Sequence, residues 1–327
     1  MRKTMKEHLK ERYSSEGEYG LEPDFPAHLN LELNNTCNHK CIFCISHSPY
    51  SEIAKKIKPC VMKTDVVYEI LEQAKSLGIG RKEVGFYTRG EVFLHEDFSD
   101  IVRYAKKLGF PYTYITTNGA LAVPEKLKAV IDAGLDSIRF SVNGAERKTY
   151  EAMHGRDDFD IVLNNIKFLR GYLDENNINI NTSISFVVTK ENKEQIPKMK
   201  EIFADLVDEI LFIPVLGLED WNKELDERLS LEEYIEKDRV ENKQLRCLAM
   251  FNTMIIDSDL KGKICCCGYT GDLEMFDLNQ DMNLENAWHT SIYKFYRKAM
   301  MEGNLKGTAC ENCRMIRQGV DREIMDA

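Results

Sequence analysis

Strand-like and helix-like segments alternate through the middle of the 327-residue chain. Leu29, Leu31 and Leu33 alternate with polar residues, which is the period-two pattern of a β-strand. A helical pattern over 65–77 follows and ends at Gly78. Further strands are predicted at 84–88, 112–116, 137–142, 180–188 and 209–213, and further helices at 97–108, 124–133, 161–174 and 194–206. Repeated strand–helix units predict a parallel sheet with right-handed crossovers.

The run of strand–helix units ends near Pro214, after the sixth strand. A closed eight-stranded barrel takes about 250 residues, so this shorter run predicts an α/β fold with a partial, open (β/α)6 barrel of the TIM type. The segment that follows is strongly charged and predicts a helical, solvent-exposed connector. The predicted organisation is an N-terminal extension at 1–28, the barrel at 29–215, the connector at 216–243 and a small cysteine-rich α+β domain at 244–327.

Acidic side chains outnumber basic ones, 54 to 44, which gives a net charge of −10. A negative surface disfavours nucleic acid and anionic membranes as partners. The first residues lack the apolar core of a signal peptide, and no apolar run approaches the roughly 18 residues that a membrane span needs. We therefore expect a cytoplasmic protein.

The ten cysteines fall into two groups, separated by the long interval between Cys60 and Cys247. Thiols stay reduced in the cytoplasm, so grouped cysteines favour metal binding over disulfides. The first group, Cys37, Cys41 and Cys44, directly follows the first predicted strand, at the edge where barrel folds place active sites. Three thiolates can hold three irons of a cubane cluster and leave the fourth iron open.

The spacing of the first group, C-x3-C-x2-C, leaves two kinds of metal site open. A zinc site would need a further ligand such as His39 or His47, because structural zinc takes four. The same spacing, with the aromatic Phe43 before the last cysteine, resembles the signature of radical S-adenosylmethionine (radical SAM) enzymes. The resemblance implies a [4Fe–4S] cluster whose open iron is chelated by the amino and carboxylate groups of S-adenosylmethionine. One electron then cleaves this cofactor, and the 5′-deoxyadenosyl radical abstracts a hydrogen atom from a substrate.

The segment 88–92, at the end of the second predicted strand, is similar to the family's Gly-Gly-Glu-Pro motif, which receives the methionine amino group. Gly90 and Glu91 are kept, whereas Arg89 and Val92 replace the first glycine and the proline. Arg89 is either a contact for a substrate carboxylate or phosphate, or a surface residue.

Two further motifs follow at the ends of the third and fourth predicted strands. Thr117 and Asn118 belong to a Thr-Asn-Gly segment that is common in the family. Ser141 and Asn143 belong to a segment similar to the family's Ser-x-Asp-Gly, with asparagine in place of aspartate. Their order along the chain strengthens the resemblance and implies contacts with S-adenosylmethionine.

The second cysteine group resembles the SPASM/twitch domain that follows the barrel in many radical SAM enzymes. The pattern reads Cys247-x14-Gly262-x4-Cys267 and then Cys310-x2-Cys313. Four thiolates suffice for one fully ligated [4Fe–4S] cluster, so the resemblance implies one auxiliary cluster and two clusters per chain. The glycine spacing favours Cys267 over the two cysteines before it. A structural zinc held by four cysteines is the alternative.

Four further side chains are candidates for catalysis or for contact with the substrate. Cys60 is either a hydrogen donor to a substrate radical, as in radical epimerases, or a small buried residue. Three histidines, His39, His47 and His95, are predicted to lie near strand ends that face the pocket. Each is either a base, a substrate contact or an incidental loop residue.

These observations predict a radical SAM oxidoreductase that removes two electrons from a small polar substrate, such as a sugar or an aminocyclitol. The auxiliary cluster would accept one electron, and a flavodoxin or ferredoxin is the implied reducing partner. With one auxiliary cluster, the chain resembles the aminocyclitol dehydrogenases of aminoglycoside biosynthesis. Only 36 residues precede Cys37, which disfavours a peptide-recognition domain. A peptide-modifying enzyme, a radical epimerase and a non-enzymatic zinc-binding or electron-transfer protein remain alternatives.

Overall fold

The computed structural model of the protein describes residues 20–215, 217–218, 221–231, 247–265, 273–311 and 313. The strands are β1 (His28–Leu31), β2 (Glu83–Gly85), β3 (Thr113–Thr117), β4 (Ser137–Ser141), β5 (Asn181–Val188), β6 (Glu209–Pro214), β7 (Thr253–Ile256), β8 (Lys261–Lys263) and β9 (Glu274–Asp277). Within the described ranges these strands form one nine-stranded sheet in the order β6-β5-β4-β3-β2-β1-β7-β8-β9.

Helices fill most connections between the strands. The α-helices are α1 (Thr64–Leu77), α2 (Phe98–Lys107), α3 (Pro124–Asp132), α4 (Arg147–His154), α5 (Phe159–Glu175), α6 (Ile196–Phe203), α7 (Lys223–Leu229), α8 (Ala249–Asn252), α9 (Leu284–Trp288) and α10 (Ser291–Glu302). Short 3-10 helices span Ala54–Lys56, Val92–Leu94 and Lys193–Gln195. In the part of the chain that the structure describes, no helix has the length and apolar character to cross a bilayer.

The predicted partial (β/α)6 barrel is confirmed. Strands β1 to β6 are parallel, each pairs with the next along the chain, and every connection between them contains a helix. Parallel neighbours require such crossovers, because the chain must return to the same end of the sheet. The carboxyl ends of all six strands therefore gather at one edge. The observed strands lie within a few residues of the predicted ones, and β2 is shorter than predicted.

The alternating pattern of β1 marks two buried faces. Leu29 and Leu31 are fully buried in the hydrophobic core, which also takes in the apolar face of α1. The intervening polar residues Asn30 and Glu32 are also buried. The Tyr114 hydroxyl donates to Asn30 Oδ1 at 2.9 Å. One side of the strand thus supplies the apolar core, and the other supplies polar groups to the interior of the barrel.

The sequence did not predict helix α4, which lies between β4 and α5. It buries Tyr150, Met153 and His154. Gly155 ends the helix in the left-handed conformation, with φ of 69°. A Cβ at Gly155 would lie 2.7 Å from Lys40 O, so the end of α4 packs directly against the first cysteine segment.

The sheet continues from the barrel into the C-terminal part of the chain. Strand β7 pairs in parallel with β1 over four residue pairs, from His28 with Thr253 to Leu31 with Ile256. Strands β8 and β9 then add antiparallel neighbours. The C-terminal segment is therefore α+β, as predicted, and it shares the barrel's sheet.

The described part of the predicted connector is helical but not fully exposed. Helix α7 buries Leu225 and Leu229, which form a small apolar cluster with Ile42 and Met153. This cluster lies against the first cysteine segment. Residues 232–246, which include the rest of the predicted connector, lie outside the described ranges.

Candidate functional site

The first cysteine group lies at the carboxyl-terminal edge of the parallel strands. Cys37, Cys41 and Cys44 line a cavity of about 200 Å³, which we call the first cavity. Its walls also carry the predicted cofactor-binding residues Phe43, Gly90, Thr117, Asn118, Ser141 and Asn143. The structure therefore brings the three thiols and the residues of all three motifs to one place.

Backbone hydrogen bonds hold the cysteine loop, residues 37–44, against the end of α4. The Lys40 N–H donates to His154 O at 3.1 Å, and the Ile42 N–H donates to Met153 O at 3.0 Å. These contacts fix the path of the loop that carries the three sulfurs.

Burial makes the three thiols costly to ionise. It raises the pKa of Cys37 to about 12 and raises the pKa of Cys41 and Cys44 above the ordinary range of a thiol. A bound metal has the opposite effect on the thiol pKa, because a coordinated thiol is deprotonated outright. Three half-buried sulfur donors around one cavity fit an iron–sulfur cluster with one iron left open.

Gly90 lies in the cavity wall where the chain runs against the backbone of Asn34. A Cβ at Gly90 would lie 2.1 Å from Asn34 O, so this close approach requires a glycine. The Glu91 N–H donates to Thr36 O at 2.8 Å, and Asn34 Nδ2 donates to Glu91 O at 2.9 Å. The segment after β2 is thereby fastened to the segment that enters the cysteine loop.

The carboxylate of Glu91 is buried and accepts hydrogen bonds from other groups of the protein. It accepts from the Thr117 hydroxyl at 2.7 Å, the Asn118 N–H at 2.8 Å and the Phe93 N–H at 3.2 Å. Burial raises the pKa of this carboxyl group, and the three donors oppose that shift. These contacts join the segment after β2 to the end of β3. The contact of Glu91 with the methionine amino group stays a prediction.

Asn118 and Asn143 both organise the cysteine side of the first cavity. Asn118 Nδ2 donates to Asn38 Oδ1 at 2.7 Å and lies 3.7 Å from Cys37 Sγ. The Asn143 N–H donates to His154 Nε2 at 3.1 Å. The motifs led us to expect cofactor contacts, and the structure adds these contacts within the protein.

Two buried histidines, His39 and His154, lie beside Cys41. Their Nδ1 atoms are 3.3 Å apart, and His154 Nδ1 lies 3.4 Å from Cys41 Sγ. His39 Nε2 lies 3.1 Å from Asp158 Oδ2. His154 and Asp158 were missed in the sequence, because helix α4 was not predicted and no motif marks either residue.

The ligand atoms of His39, Cys41 and His154 lie within 4.8 Å of one another, as they would around a single metal ion. The contact of His154 with Asn143 argues against that use. A backbone N–H can only donate, so His154 Nε2 must be an acceptor and the ring proton resides on Nδ1. Burial also lowers the pKa of both histidines, that of His154 well below its usual range, which favours neutral rings. An Nδ1–H that faces the sulfur is a hydrogen-bond donor, not a metal ligand.

The other two candidate histidines have different surroundings. His47 lines the first cavity, and its Nε2 donates to Arg89 O at 3.0 Å. His95 is buried, and its Nε2 donates to Met62 O at 2.9 Å. His95 is thus tied to the segment before α1, whereas we had expected it to face the pocket.

Arg89 belongs to an ion cluster and its side chain is only 12% exposed, so it is not a surface residue, and its contact with a substrate stays a prediction. Its Nε and Nη2 donate to the Glu32 carboxylate at 2.8 and 2.6 Å, and Nη2 lies 3.0 Å from Asp257 Oδ2. The Ser258 hydroxyl donates to Glu32 Oε1 at 2.9 Å. Burial, with the nearby Glu32, raises the pKa of Asp257 to about 7. This ion cluster joins the segments that follow β1, β2 and β7.

A second, larger cavity of about 660 Å³ adjoins the first, and Arg89 lines both. Cys60 lies in its wall, and the thiol donates to Ser258 O at 3.2 Å. Asp259 Oδ1 is buried there without a hydrogen-bond partner among the described residues. The wall also carries four lysines, which are Lys56, Lys58, Lys261 and Lys263. This second cavity therefore offers both cations and an unused acceptor.

Three cysteines of the second group interact in the C-terminal part of the chain. Burial, with Cys313 and Cys247 nearby, raises the pKa of Cys310 to about 12. The Cys313 N–H donates to Cys310 O at 3.3 Å. Cys265 is also described and packs against the core, whereas the predicted ligand Cys267 lies outside the described residues.

Comparison with known families and sequences agrees with this geometry. A model of the radical SAM superfamily matches residues 31–203. A protein of Saccharolobus islandicus named probable GTP 3′,8-cyclase is 34% identical over 222 residues, which are 67% of this chain and 67% of that protein. A protein of the same name from Thermoplasma volcanium is 28% identical over 179 residues, which are 54% of this chain and 50% of the relative.

Several solved structures share the fold at low sequence identity. BtrN in complex with AdoMet and 2-DOIA has a TM-score of 0.52 and 15% identity, covering 86% of this chain and 89% of BtrN. Native anSMEcpe with bound AdoMet has a TM-score of 0.61 and 16% identity, covering 89% of this chain and 88% of that one. Streptococcus suis SuiB bound to precursor peptide SuiA has a TM-score of 0.64 and 17% identity, covering 89% and 69%.

Proposed function

This chain belongs to the radical SAM superfamily, and on that basis we propose that it cleaves S-adenosylmethionine reductively and takes a hydrogen atom from a small polar substrate. Cys37, Cys41 and Cys44 hold a [4Fe–4S] cluster in the first cavity. When bound, the cluster and S-adenosylmethionine supply a 5′-deoxyadenosyl radical. The observation that carries this proposal is the convergence of three half-buried thiols on one cavity at the strand ends.

The chain's own residues bind and orient the cofactor. The backbone at Gly90 and the hydroxyl of Ser141 offer polar contacts to the methionine and ribose portions. Phe43, Thr117, Asn118 and Asn143 line the same cavity.

We assign the substrate to the second cavity. Its volume of about 660 Å³ is within the usual range for small-molecule sites. Glu274 also lines this cavity and lies 3.0 Å from Lys261 Nζ and 3.8 Å from Lys263 Nζ, so Lys56 and Lys58 are the lysines that favour an anionic group. The unused Asp259 Oδ1 suits a hydroxyl or amine of the same molecule. Hydrogen abstraction needs direct contact between cofactor and substrate, and the shared wall at Arg89 supports that contact.

The favoured reaction is a two-electron oxidation. After the hydrogen atom leaves, the substrate radical must lose one more electron and a proton from its hydroxyl or amine group. We assign that electron to an auxiliary [4Fe–4S] cluster held by Cys247, Cys267, Cys310 and Cys313, in a SPASM/twitch-type domain. The grouping of Cys247, Cys310 and Cys313 supports this ligand set. A flavodoxin or ferredoxin supplies the electron for cofactor cleavage.

The names of the relatives favour a second candidate function, the cyclisation of a guanine nucleotide. Lys56 and Lys58 of the second cavity suit a triphosphate as well as a simpler anion. Four thiolates close every iron of an auxiliary cluster, whereas three leave one iron open.

The first experiment measures iron, sulfide and zinc in protein purified anaerobically and reconstituted. Two cubane clusters predict about eight irons and eight sulfides per chain, with little zinc. Replacing Cys37, Cys41 and Cys44 together by alanine should remove about half of the iron and abolish cleavage of S-adenosylmethionine. Cys60→Ala is the matched control and should keep both. Zinc without iron would overturn the proposal.

A second experiment separates the two candidates. The reduced enzyme and S-adenosylmethionine are incubated with GTP or with a panel of sugars, polyols and aminocyclitols, and products are identified by mass spectrometry. Loss of two hydrogens from a panel member supports the oxidation. An isomer of GTP as product supports the cyclisation. Cys267→Ala should lower the auxiliary iron content only if Cys267 is a ligand.

A further inference from the structure

We infer that His154 is a positioning residue that donates an Nδ1–H hydrogen bond to Cys41 Sγ and thereby raises the reduction potential of the cluster that Cys41 helps to hold. The inference rests on the proposed function, because it requires a cluster in the first cavity. It also assigns a role to a buried histidine that lies outside every recognised motif.

The tautomer of His154 follows from its contact with Asn143. The Asn143 N–H points at Nε2 from 3.1 Å. A backbone amide has no acceptor capacity on nitrogen, so Nε2 must offer its lone pair. The proton of the ring therefore resides on Nδ1. This conclusion depends on geometry alone.

The Nδ1 proton of His154 faces Cys41 and His39. Two acceptors lie within reach of His154 Nδ1: Cys41 Sγ at 3.4 Å and His39 Nδ1 at 3.3 Å. His39 Nε2 lies 3.1 Å from Asp158 Oδ2 and donates to it, which leaves Nδ1 of His39 as an acceptor. A coordinated Cys41 would be a thiolate, and an anionic acceptor forms a stronger hydrogen bond than the neutral ring of His39, so the His154 N–H would be directed to the sulfur.

The His154 ring is held in place by its neighbours. It stacks on Tyr150 with centroids 4.2 Å apart and an angle of 21° between the planes. The backbone of the same residue accepts from Lys40 N–H at 3.1 Å, so α4 holds the cysteine loop and the donor together. A donor held in this way needs little reorganisation when the sulfur gains negative charge.

The consequence follows from the charge on the cluster. Hydrogen bonds to the sulfurs are among the features that set iron–sulfur potentials. A reduced cluster carries one more negative charge, so an N–H donor stabilises it more than the oxidised form. Removing the donor should make the cluster harder to reduce.

The test measures the reduction potential of the holoenzyme by redox titration followed by electron paramagnetic resonance. The signal that changes on addition of S-adenosylmethionine identifies the cluster of the first cavity. His154→Phe keeps an aromatic ring to stack on Tyr150 and removes both nitrogens. We expect its reduction equilibrium to fall about tenfold, which is about 59 mV for one electron, at unchanged iron content.

Two variants serve as matched controls. His154→Asn places an amide nitrogen near the position of Nδ1 and should restore most of the lost potential. His95→Phe replaces another buried histidine, one that donates to Met62 O, and should leave the potential unchanged. Equal potentials for wild type and His154→Phe would overturn the inference, as would equal shifts in His154→Phe and His95→Phe.

A measurement on the wild-type protein covers the case in which His154→Phe fails to hold iron. Protein labelled with ring-15N histidine should show a weak nitrogen coupling in pulsed spectra of the reduced cluster, and a missing coupling would overturn the inference. Failure of the proposed function looks different, because wild-type protein would then hold no cluster that responds to S-adenosylmethionine.

Discussion

Replacing Gly90 by alanine should disable the first cavity. The added Cβ would lie 2.1 Å from Asn34 O, whereas ordinary contact begins at 3.4 Å, so the two segments must separate by 3.4 − 2.1 = 1.3 Å. Hydrogen bonds between Asn34 and Glu91 and between Glu91 and Thr36 fasten these segments at 2.9 and 2.8 Å. A shift of this size breaks both bonds.

The cost of Gly90→Ala can be worked from these contacts. Each lost hydrogen bond is worth about 1 kcal/mol and the overpacking adds about 1–3 kcal/mol, which gives a loss of about 3–5 kcal/mol in the free energy of unfolding. Thr36 directly precedes Cys37, so the displacement also reaches the cysteine loop. We expect binding of S-adenosylmethionine to fall sharply.

The assay combines thermal denaturation of the reconstituted protein with equilibrium dialysis against labelled S-adenosylmethionine. The denaturation midpoint should fall by several degrees, at roughly 2–4 °C per kcal/mol. Gly171→Ala is the matched control, because a Cβ at that position in α5 meets nothing within 4 Å. Alanine favours the helix there and should stabilise by about 0.5–1 kcal/mol. A Gly90→Ala protein with wild-type midpoint and affinity would refute this reasoning.

Three further changes test the ion cluster and the second cavity. Arg89→Met should lower the free energy of unfolding by about 3 kcal/mol, because Glu32 becomes an uncompensated buried charge; adding Glu32→Gln should restore part of it, and chemical denaturation measures both. The pKa of Asp257 is raised in the folded state to about 7, so the stability that its protonated form contributes is complete below pH 4 or so and is lost as the pH rises through about 7. Asp257→Asn should flatten that dependence, and a profile parallel to wild type would contradict the assignment. Cys60→Ala should keep substrate turnover, whereas loss of turnover, together with uptake of solvent deuterium into the wild-type product, would favour epimerisation.

The barrel and the cysteine loop could be predicted because their signals are local. The leucines of β1 lie two residues apart, and the cysteines lie within one short loop that follows it. Short-range patterns of this kind reflect the geometry of strands and the reach of one loop. The motifs at the ends of β2, β3 and β4 converged for the same reason, since parallel strands end at one edge.

The contacts that organise the site could not be predicted in the same way. Glu32 and Ser258 are 226 positions apart, and His39 and His154 are 115 apart. No periodicity or spacing links residues so distant, and their pairing is a product of the completed fold. Arg89 illustrates the difference, because its position in a glycine-rich motif gave no sign of its partners, which come from the segments that follow β1 and β7.

The parallel pairing of β1 with β7 has a consequence for the order of synthesis. The first barrel strand ends at Leu31, and its second neighbour begins at Thr253. At about 5–20 residues per second, a ribosome needs roughly 10–45 seconds to make the intervening chain. During that interval one edge of β1 stays unpaired, and an open strand edge invites pairing with other chains. Pausing of the ribosome before it translates β7 should therefore increase aggregation of the nascent protein. Coexpressed chaperones should reduce that aggregation.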